Sequence, residues 1–341
     1  MEIADSIKSL RLASSFLRKR MVHCNLQILY QCNFRCTICD FWNRRYQELP
    51  PLTVQQVKDI TEKIKPLGPL VISIGGGEPL MHGDLIEITK ILSNDNFPVM
   101  ICNGWFVTPE NAREVFEAGM REVSVSVDYA SPEKHDAQRG KKGAFERAIN
   151  ALQVLHANRT NAHQRVHMIS VVMDDNLDDI EPLIKISKEI GITYLVTFYS
   201  NCRGKKGSKL SRSDISRRLM ELKRRYPEFI ALSEFIERYS GARAEGGISP
   251  CFAGENLFNI DCQGNVSRCI DRLDESVGNI FKLEIDVLMG RLAEQVRAGG
   301  CGACWTSCRG NIETLMYGRK RLRSLFEYRH IVKDVPLLSG V

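Results

Sequence analysis

The chain has 341 residues, 43% hydrophobic and 26% charged, with a formal net charge of +6. These are the proportions of an ordinary globular protein, built as one large domain or one domain with a small appendage. No apolar run approaches the roughly 20 residues that span a bilayer, and neither a secretory signal nor a nucleic-acid-binding motif is recognisable.

The segment "IADSIKSLRLASSFLRKRM" (3–21) predicts a basic amphipathic helix, taken as an N-terminal unit over 1–21. Such a helix is expected to cap the bottom of the fold, with peripheral contact to an anionic membrane as the alternative. Only about 21 residues precede the first strand, and no further domain is expected among them. From residue 22 to 208, strand-like runs alternate with helical patterns. The strands are expected at 25–30, 70–75, 98–103, 122–128, 166–173 and 193–199, and the helices at 53–64, 83–94, 109–119, 143–156 and 176–191. Thr53 and Asn176 are the expected N-caps, and Gly119 and Gly191 fall at helix ends. Repeated βα units without a reversal predict the α/β class, as a partial (β/α)6 TIM-like barrel whose active end lies at the C-terminal ends of the strands.

Residues 209–247 read as a charged helical connector, 248–320 as a small metal-dense module and 321–341 as a C-terminal tail. The module contains six cysteines, Cys251, Cys262, Cys269, Cys301, Cys304 and Cys308, within 58 residues, with a helix expected at 280–299. The basic runs at 18–20, 203–209 and 217–225 read as solvated helix faces and loops. All twelve cysteines are expected in a reducing cytoplasm, as metal ligands, catalytic thiols or core residues.

The stretch "QCNFRCTIC" (31–39) directly follows the first strand and places Cys32, Cys36 and Cys39 within eight residues. Three thiols leave a metal centre with an unfilled position, whereas four would close a structural zinc site. A zinc knuckle borrowing a distant fourth ligand is the competing reading. "IGGGEP" (74–79) ends the second strand, where glycines let the backbone approach a ligand closely.

The Cys-x3-Cys-x2-Cys spacing after strand one of a βα barrel resembles the radical S-adenosylmethionine superfamily, over about residues 22–200. The resemblance implies a 4Fe–4S cluster held by Cys32, Cys36 and Cys39. Its fourth iron binds the amino and carboxylate groups of S-adenosylmethionine. Reductive cleavage of the cosubstrate then yields a 5′-deoxyadenosyl radical that abstracts hydrogen from the substrate. Gly76, Gly77 and Glu78 match the family's GGE motif, which binds the methionine amino group. Ser126 and Asp128 match positions facing the ribose. Arg139 in "HDAQRG" matches an arginine facing the carboxylate, a partner suited to the planar guanidinium. Ile38 matches a backbone contact to adenine, and Asn103 faces the same mouth. His135 and Asp136 are expected to be structural.

The later cysteines resemble the twitch and SPASM modules of the same superfamily. They imply one auxiliary iron–sulfur cluster of the 4Fe–4S type on Cys251, Cys269, Cys301 and Cys304, with Cys308 as an alternative ligand. Structural zinc is the alternative metal, because four thiols alone do not choose. Cys262 is a candidate hydrogen donor, with cluster ligand and core residue as its other readings. Cys24, Cys102 and Cys202 are expected in the core.

The leading functional expectation is modification of a peptide or protein. Dehydrogenation or epimerisation of a sugar-type or lipid small molecule is the alternative, and a non-catalytic zinc-binding interaction protein is the alternative of another class. An electron donor such as flavodoxin or ferredoxin is implied, and no nucleic-acid partner.

Overall fold

Strand β1 (His23–Leu29) is buried along its whole length and lies in the interior of a sheet that has nine strands among the described residues. The computed structural model describes residues 3–200, 202, 214–244, 247–299 and 301–334. The basic run 203–209 and the last seven residues of the expected tail lie outside these.

Helix α1 (Ile3–Leu17) precedes β1. There follow α2 (Arg44–Gln47), α3 (Val54–Ile64), β2 (Val71–Gly76), α4 (Leu85–Asp95), β3 (Phe97–Cys102), α5 (Pro109–Glu117) and β4 (Glu122–Ser126). Next come α6 (Pro132–Arg139), α7 (Ala144–Ala157), β5 (Arg165–Val172), α8 (Ile180–Ile190) and β6 (Thr193–Phe198). The C-terminal part holds α9 (Ile215–Arg225), α10 (Ser233–Ala244), β7 (Leu257–Ile260), β8 (Asn265–Ser267), β9 (Gly278–Asn279), α11 (Ile285–Arg297), α12 (Ser307–Tyr317) and α13 (Arg321–Asp334).

The strand order is β6-β5-β4-β3-β2-β1-β7-β8-β9. The first six strands pair in parallel, as expected of successive right-handed crossovers. The sheet stays open, with β6 and β9 at its two edges, so the α/β fold is a partial TIM-like barrel. Apolar side chains of alternating strand positions, among them Leu26, Ile72, Ile74, Val123, Val125 and Met168, form its core.

Local signals explain most element boundaries. Thr53 accepts the Gln56 amide, and Gln56 returns the bond to the Thr53 amide, closing a capping box at the start of α3. Gly191 takes φ +82° at the end of α8, a left-handed position suited to glycine. Asn176 is not the N-cap of α8. Its amide instead ties the β5 end to β4, donating to the Asp128 and Val171 carbonyls at 2.8 Å each.

The segment expected as a separate C-terminal module continues the barrel sheet. Strand β7 pairs in parallel with β1, from His23 opposite Leu257 to Leu26 opposite Ile260, and β8 and β9 extend it antiparallel. Phe258, Ile260, Val266, Ile280, Leu288 and Leu292 belong to the same apolar cluster as the barrel strands. The connector forms α9 and α10, joined by Ser216 Oγ donating to the Ile236 carbonyl at 2.7 Å. The described part of the expected tail is helical, as α13.

Helix α1 lies across the N-terminal ends of the strands. Lys8 donates to the Ser93 carbonyl at 2.8 Å and covers the Phe97 ring, while Asp5 pairs with Arg121 at the foot of β4. Among the described residues, no helix is long and apolar enough to cross a membrane.

The shared core predicts coupled unfolding. Ile260→Ala removes a fully buried side chain and should cost about 2–5 kcal/mol. In urea, probes in the barrel and in the C-terminal part should shift together; a barrel transition unmoved by this change would contradict one continuous core.

Candidate functional site

The cysteine loop leaves β1 and is braced from three sides. Gln47 of α2 accepts the Cys32 amide at 3.2 Å and donates to the carbonyls of Tyr30 at 2.5 Å and Phe41 at 2.8 Å. Gln31 crosses to the Leu49 carbonyl at 2.7 Å, and Trp42 Nε1 donates to the Cys36 carbonyl at 3.0 Å. From the other side, the last turn of α6 meets the loop, with the Arg35 amide donating to the Arg139 carbonyl at 3.3 Å and the Thr37 amide to that of Gln138 at 2.9 Å. Gly140 follows at φ +62°, where a Cβ would lie 2.7 Å from the Arg35 carbonyl oxygen. Gln31, Gln47 and Trp42 carry no motif, and nothing in the sequence alone singles them out.

The sulfurs of Cys32 and Cys36 sit in poorly hydrated surroundings. Burial pushes the Cys32 thiol up to about 12, and burial also raises Cys36, with the neighbouring Arg139 acting in the opposite direction. Thiols held this way ionise when a metal supplies compensating charge.

The glycines ending β2 serve the β1 junction first. A Cβ on Gly76 would collide with the Leu29 carbonyl, and one on Gly77 with the Gln31 carbonyl. Their closeness lets the Gly77 amide donate to Leu29 and the Glu78 amide to Gln31, both at 2.9 Å. Glu78 is 1% exposed and accepts the amides of Asn103 at 2.7 Å and Leu80 at 3.3 Å. Burial raises its carboxyl to about 7, against the opposing pull of those amides. Asn103 is itself fixed, donating to Asn33 Oδ1 at 2.8 Å and accepting the Trp105 amide at 2.9 Å.

A cavity of about 340 Å³ opens at the C-terminal ends of the parallel strands. Cys32, Cys36, Cys39, Ile38, Gly76, Gly77, Glu78, Asn103, Ser126 and Arg139 all line it. Asp128 does not. It is wholly buried behind Arg139, accepting from Arg139 Nη2 at 2.6 Å, Gln138 Nε2 at 2.7 Å and the Val171 amide at 2.8 Å. The expectation that Asp128 faces a ribose is therefore corrected: its acceptor sites hold the arginine in place. Arg139 is 8% exposed, and its Nε is buried with no partner. His135 and Asp136 are structural. His135 accepts the Asp128 amide, with burial lowering its pKa to about 4, and Asp136 accepts the amides of Gly143 and Phe145 at the start of α7.

Cys251, Cys269, Cys301, Cys304 and Cys308 line another wall of the same cavity, where Cys251, Cys269 and Cys301 belong to an apolar cluster distinct from that of Cys32, Cys36 and Cys39. Arg309 clamps this wall, donating to the carbonyls of Cys304 at 2.5 Å, Pro250 at 3.1 Å and Ile248, and to Glu313 Oε1 at 2.8 Å. Arg272 Nη2 reaches Cys301 Sγ at 3.4 Å. Cys202, expected in the core, is half-buried and lines the cavity beside these residues, because the chain runs over its rim after β6. Cys102, buried as expected, also reaches the cavity wall, while Cys24 packs in the core. Cys262 does not line the cavity. It is 3% exposed in the β7–β8 turn, within the apolar cluster, with burial raising its thiol to about 12. That position corrects the reading of Cys262 as a donor facing substrate.

Among the described residues, no three Cys, His, Asp or Glu side chains are gathered to hold a single metal ion. An iron–sulfur cluster takes its thiolates at the corners of a wider body than one ion does. Soft thiol donors confined to one loop match its preference, and the orphaned Arg139 Nε leaves a donor for an anionic group beside it.

A family model described as the radical SAM superfamily matches residues 26–186. The chain is 29% identical over 276 residues to an AdoMet-dependent heme synthase of Methanosarcina barkeri, covering 77% of each chain. It is 27% identical over 303 residues to the mycofactocin maturase MftC of Mycolicibacterium smegmatis, covering 83% of this chain and 76% of the relative. Among solved structures, Streptococcus suis SuiB bound to its precursor peptide SuiA superposes with a TM-score of 0.63 at 15% identity, over 83% of this chain and 68% of that one.

Two outcomes follow from the buried charges. Asp128→Ala should destabilise the protein by about 3–5 kcal/mol by leaving Arg139 buried and unpaired, whereas Asp128→Leu with Arg139→Met should recover much of that loss in chemical denaturation. The folded-state pKa of Glu78 lies above its ordinary 4.5, so the folded protein holds a proton that the unfolded chain releases. Stability should thus fall as pH rises from about 4.5 to about 7, and Glu78→Gln should flatten that slope in denaturation curves across the interval.

Proposed function

Because residues 26–186 place this chain in the radical SAM superfamily, we propose that it is an enzyme that modifies a peptide or protein by hydrogen abstraction. The observation carrying this reading is that two groups of cysteines, distant in sequence, line one cavity at the active end of the barrel. In that arrangement Cys32, Cys36 and Cys39 would hold the first cluster beside the cosubstrate. Bound there, the cluster and S-adenosylmethionine would supply one-electron reductive cleavage and a hydrogen-abstracting radical.

The remaining work belongs to the protein. Glu78 and the backbone of Gly76 and Gly77 receive the cosubstrate's amino group. Arg139 offers its unpartnered Nε to the carboxylate and is kept from swinging away by Asp128. Ile38 and Asn103 meet the adenine, and Ser126 meets the ribose. Phe34, Phe41 and Ile169 contribute apolar wall that excludes water from reactive species. Cys251, Cys269, Cys301 and Cys304, with Cys308 as alternative, hold an auxiliary iron–sulfur cluster. A flavodoxin- or ferredoxin-type donor supplies electrons.

The precursor peptide bound by SuiB on a similar fold supports a peptide substrate. Likeness to a heme synthase supports a second reading, a small-molecule substrate in the same cavity. Mass spectrometry of candidate peptides and small molecules incubated with the reduced enzyme separates the two.

Replacing Cys32, Cys36 and Cys39 together by Ala should remove roughly four irons per chain. It should abolish 5′-deoxyadenosine formation while the iron bound by the C-terminal cysteines remains. Undiminished 5′-deoxyadenosine from the reconstituted triple variant would refute this assignment.

A further inference from the structure

Among the described residues, four arginines line the cavity: Arg139, Arg268, Arg272 and Arg309. Three have hydrogen-bond partners: Arg139 on Asp128, Arg272 on Cys301, and Arg309 on Glu313 and three carbonyls. Arg268 follows β8 directly and differs from them. It is 3% exposed, yet among the described residues its side chain makes no hydrogen bond; its Nε is sealed from solvent without a partner, as are those of Arg139 and Arg272, but those two are held through Nη2. Among the described residues its nearest anion is Glu275, 3.7 Å from Nε, beyond hydrogen-bonding reach and on a side chain 38% exposed. The same carboxylate stands 3.7 Å from Arg272 Nη1, so one loosely held acid is shared by two guanidinium groups.

A buried guanidinium without hydrogen bonds is costly, because it has lost water and gained no acceptor. The cost is recovered when an anion enters, and a carboxylate matches the planar donor pair. We infer that Arg268, supported by Arg272, forms a carboxylate-binding subsite in this cavity, so that the substrate carries a free carboxylate. The inference rests on the cavity being the substrate site, as proposed above. It does not require radical chemistry, so the two readings fail separately. The carboxylate belongs either to the end of a peptide or to a small acid. Its place on the cysteine-rich wall, remote in sequence from Arg139, separates it from the arginine assigned to the cosubstrate.

The test uses the full chain, reconstituted anaerobically with iron, sulfide and S-adenosylmethionine. Saturation-transfer NMR follows three probes: N-acetyl-dialanine with a free terminus, its terminal amide, and glutarate. The carboxylate probes should bind and the amide should not. Binding of N-acetyl-dialanine alone identifies a chain terminus, and binding of glutarate alone or with it identifies a small acid or either source. Arg268→Gln should weaken carboxylate binding by about ten- to a hundredfold, the effect of one lost charge-assisted contact, and Arg268→Lys should restore part of it. Glu275→Gln, which removes the shared acid and leaves Arg268 intact, should tighten binding by about two- to fivefold.

Iron content and the electron paramagnetic resonance of the C-terminal cluster should be unchanged in Arg268→Gln. Equal binding of acid and amide, no binding of any probe, or unchanged binding in both variants would overturn the subsite. A cluster signal altered by Arg268→Gln with carboxylate binding intact would assign the arginine to the cluster instead. Should Arg268→Gln fail to fold, the Glu275→Gln result decides alone, and unchanged or weaker binding there counts against the subsite.

Discussion

Asp128 is a fully buried carboxylate whose acceptor sites are filled by Arg139, Gln138 and the β5 backbone, and the cysteine loop depends on that arrangement. The carbonyls of Gln138 and Arg139 receive the amides of Thr37 and Arg35, so the last turn of α6 is the shelf on which the loop rests. Neutralising the guanidinium inside the protein allows that turn to sit against sulfur and not in water. Such a pair adds little net stability, because desolvation offsets attraction. Its effect is on position: the arginine and the loop cannot move independently. Tyr129 extends the network, its hydroxyl lying 3.0 Å from both Gln138 Oε1 and Asp175 Oδ1, which share its one proton.

The electrostatics of the cavity follow from burial. Thiols on both walls are raised, Cys251 to about 12 and Cys269 well above its ordinary value, each chiefly by desolvation. Arginines stand beside them, at Arg139 on one wall and Arg272 and Arg309 on the other. Neutral thiols flanked by fixed cations form a site that favours anions once metal binding has displaced the protons. Metal loading and proton release are then one linked event.

Continuity of the sheet ties together the two cysteine-bearing segments that line the cavity. Because β7 pairs with β1, the strand that delivers the first cysteine loop also anchors the segment carrying Cys251 and Cys269. A hinged appendage would let the distance between the walls vary. One hydrogen-bonded sheet with one apolar core holds it.

Much of this was legible in the chain itself. Short apolar runs alternating with helical patterns marked the six parallel strands, because a strand covered on both faces reads as a near-continuous apolar run. The spacing of Cys32, Cys36 and Cys39, the run Gly76-Gly77-Glu78 and the position of Arg139 were local patterns readable in order. Strands β7, β8 and β9 were not legible, since two to four residues are too few to show a period. The placement of Asp128 behind Arg139, of Cys202 on the cavity wall and of Cys262 in the core was decided only in three dimensions. So was the unsatisfied guanidinium of Arg268. Each depends on whether residues distant in sequence supply a partner or exclude water, and local spacing carries no record of either. The residue types determined which chemistry was available; the packing of β1 against β7, and of α6 against the cysteine loop, determined which side chains face the cavity to perform it.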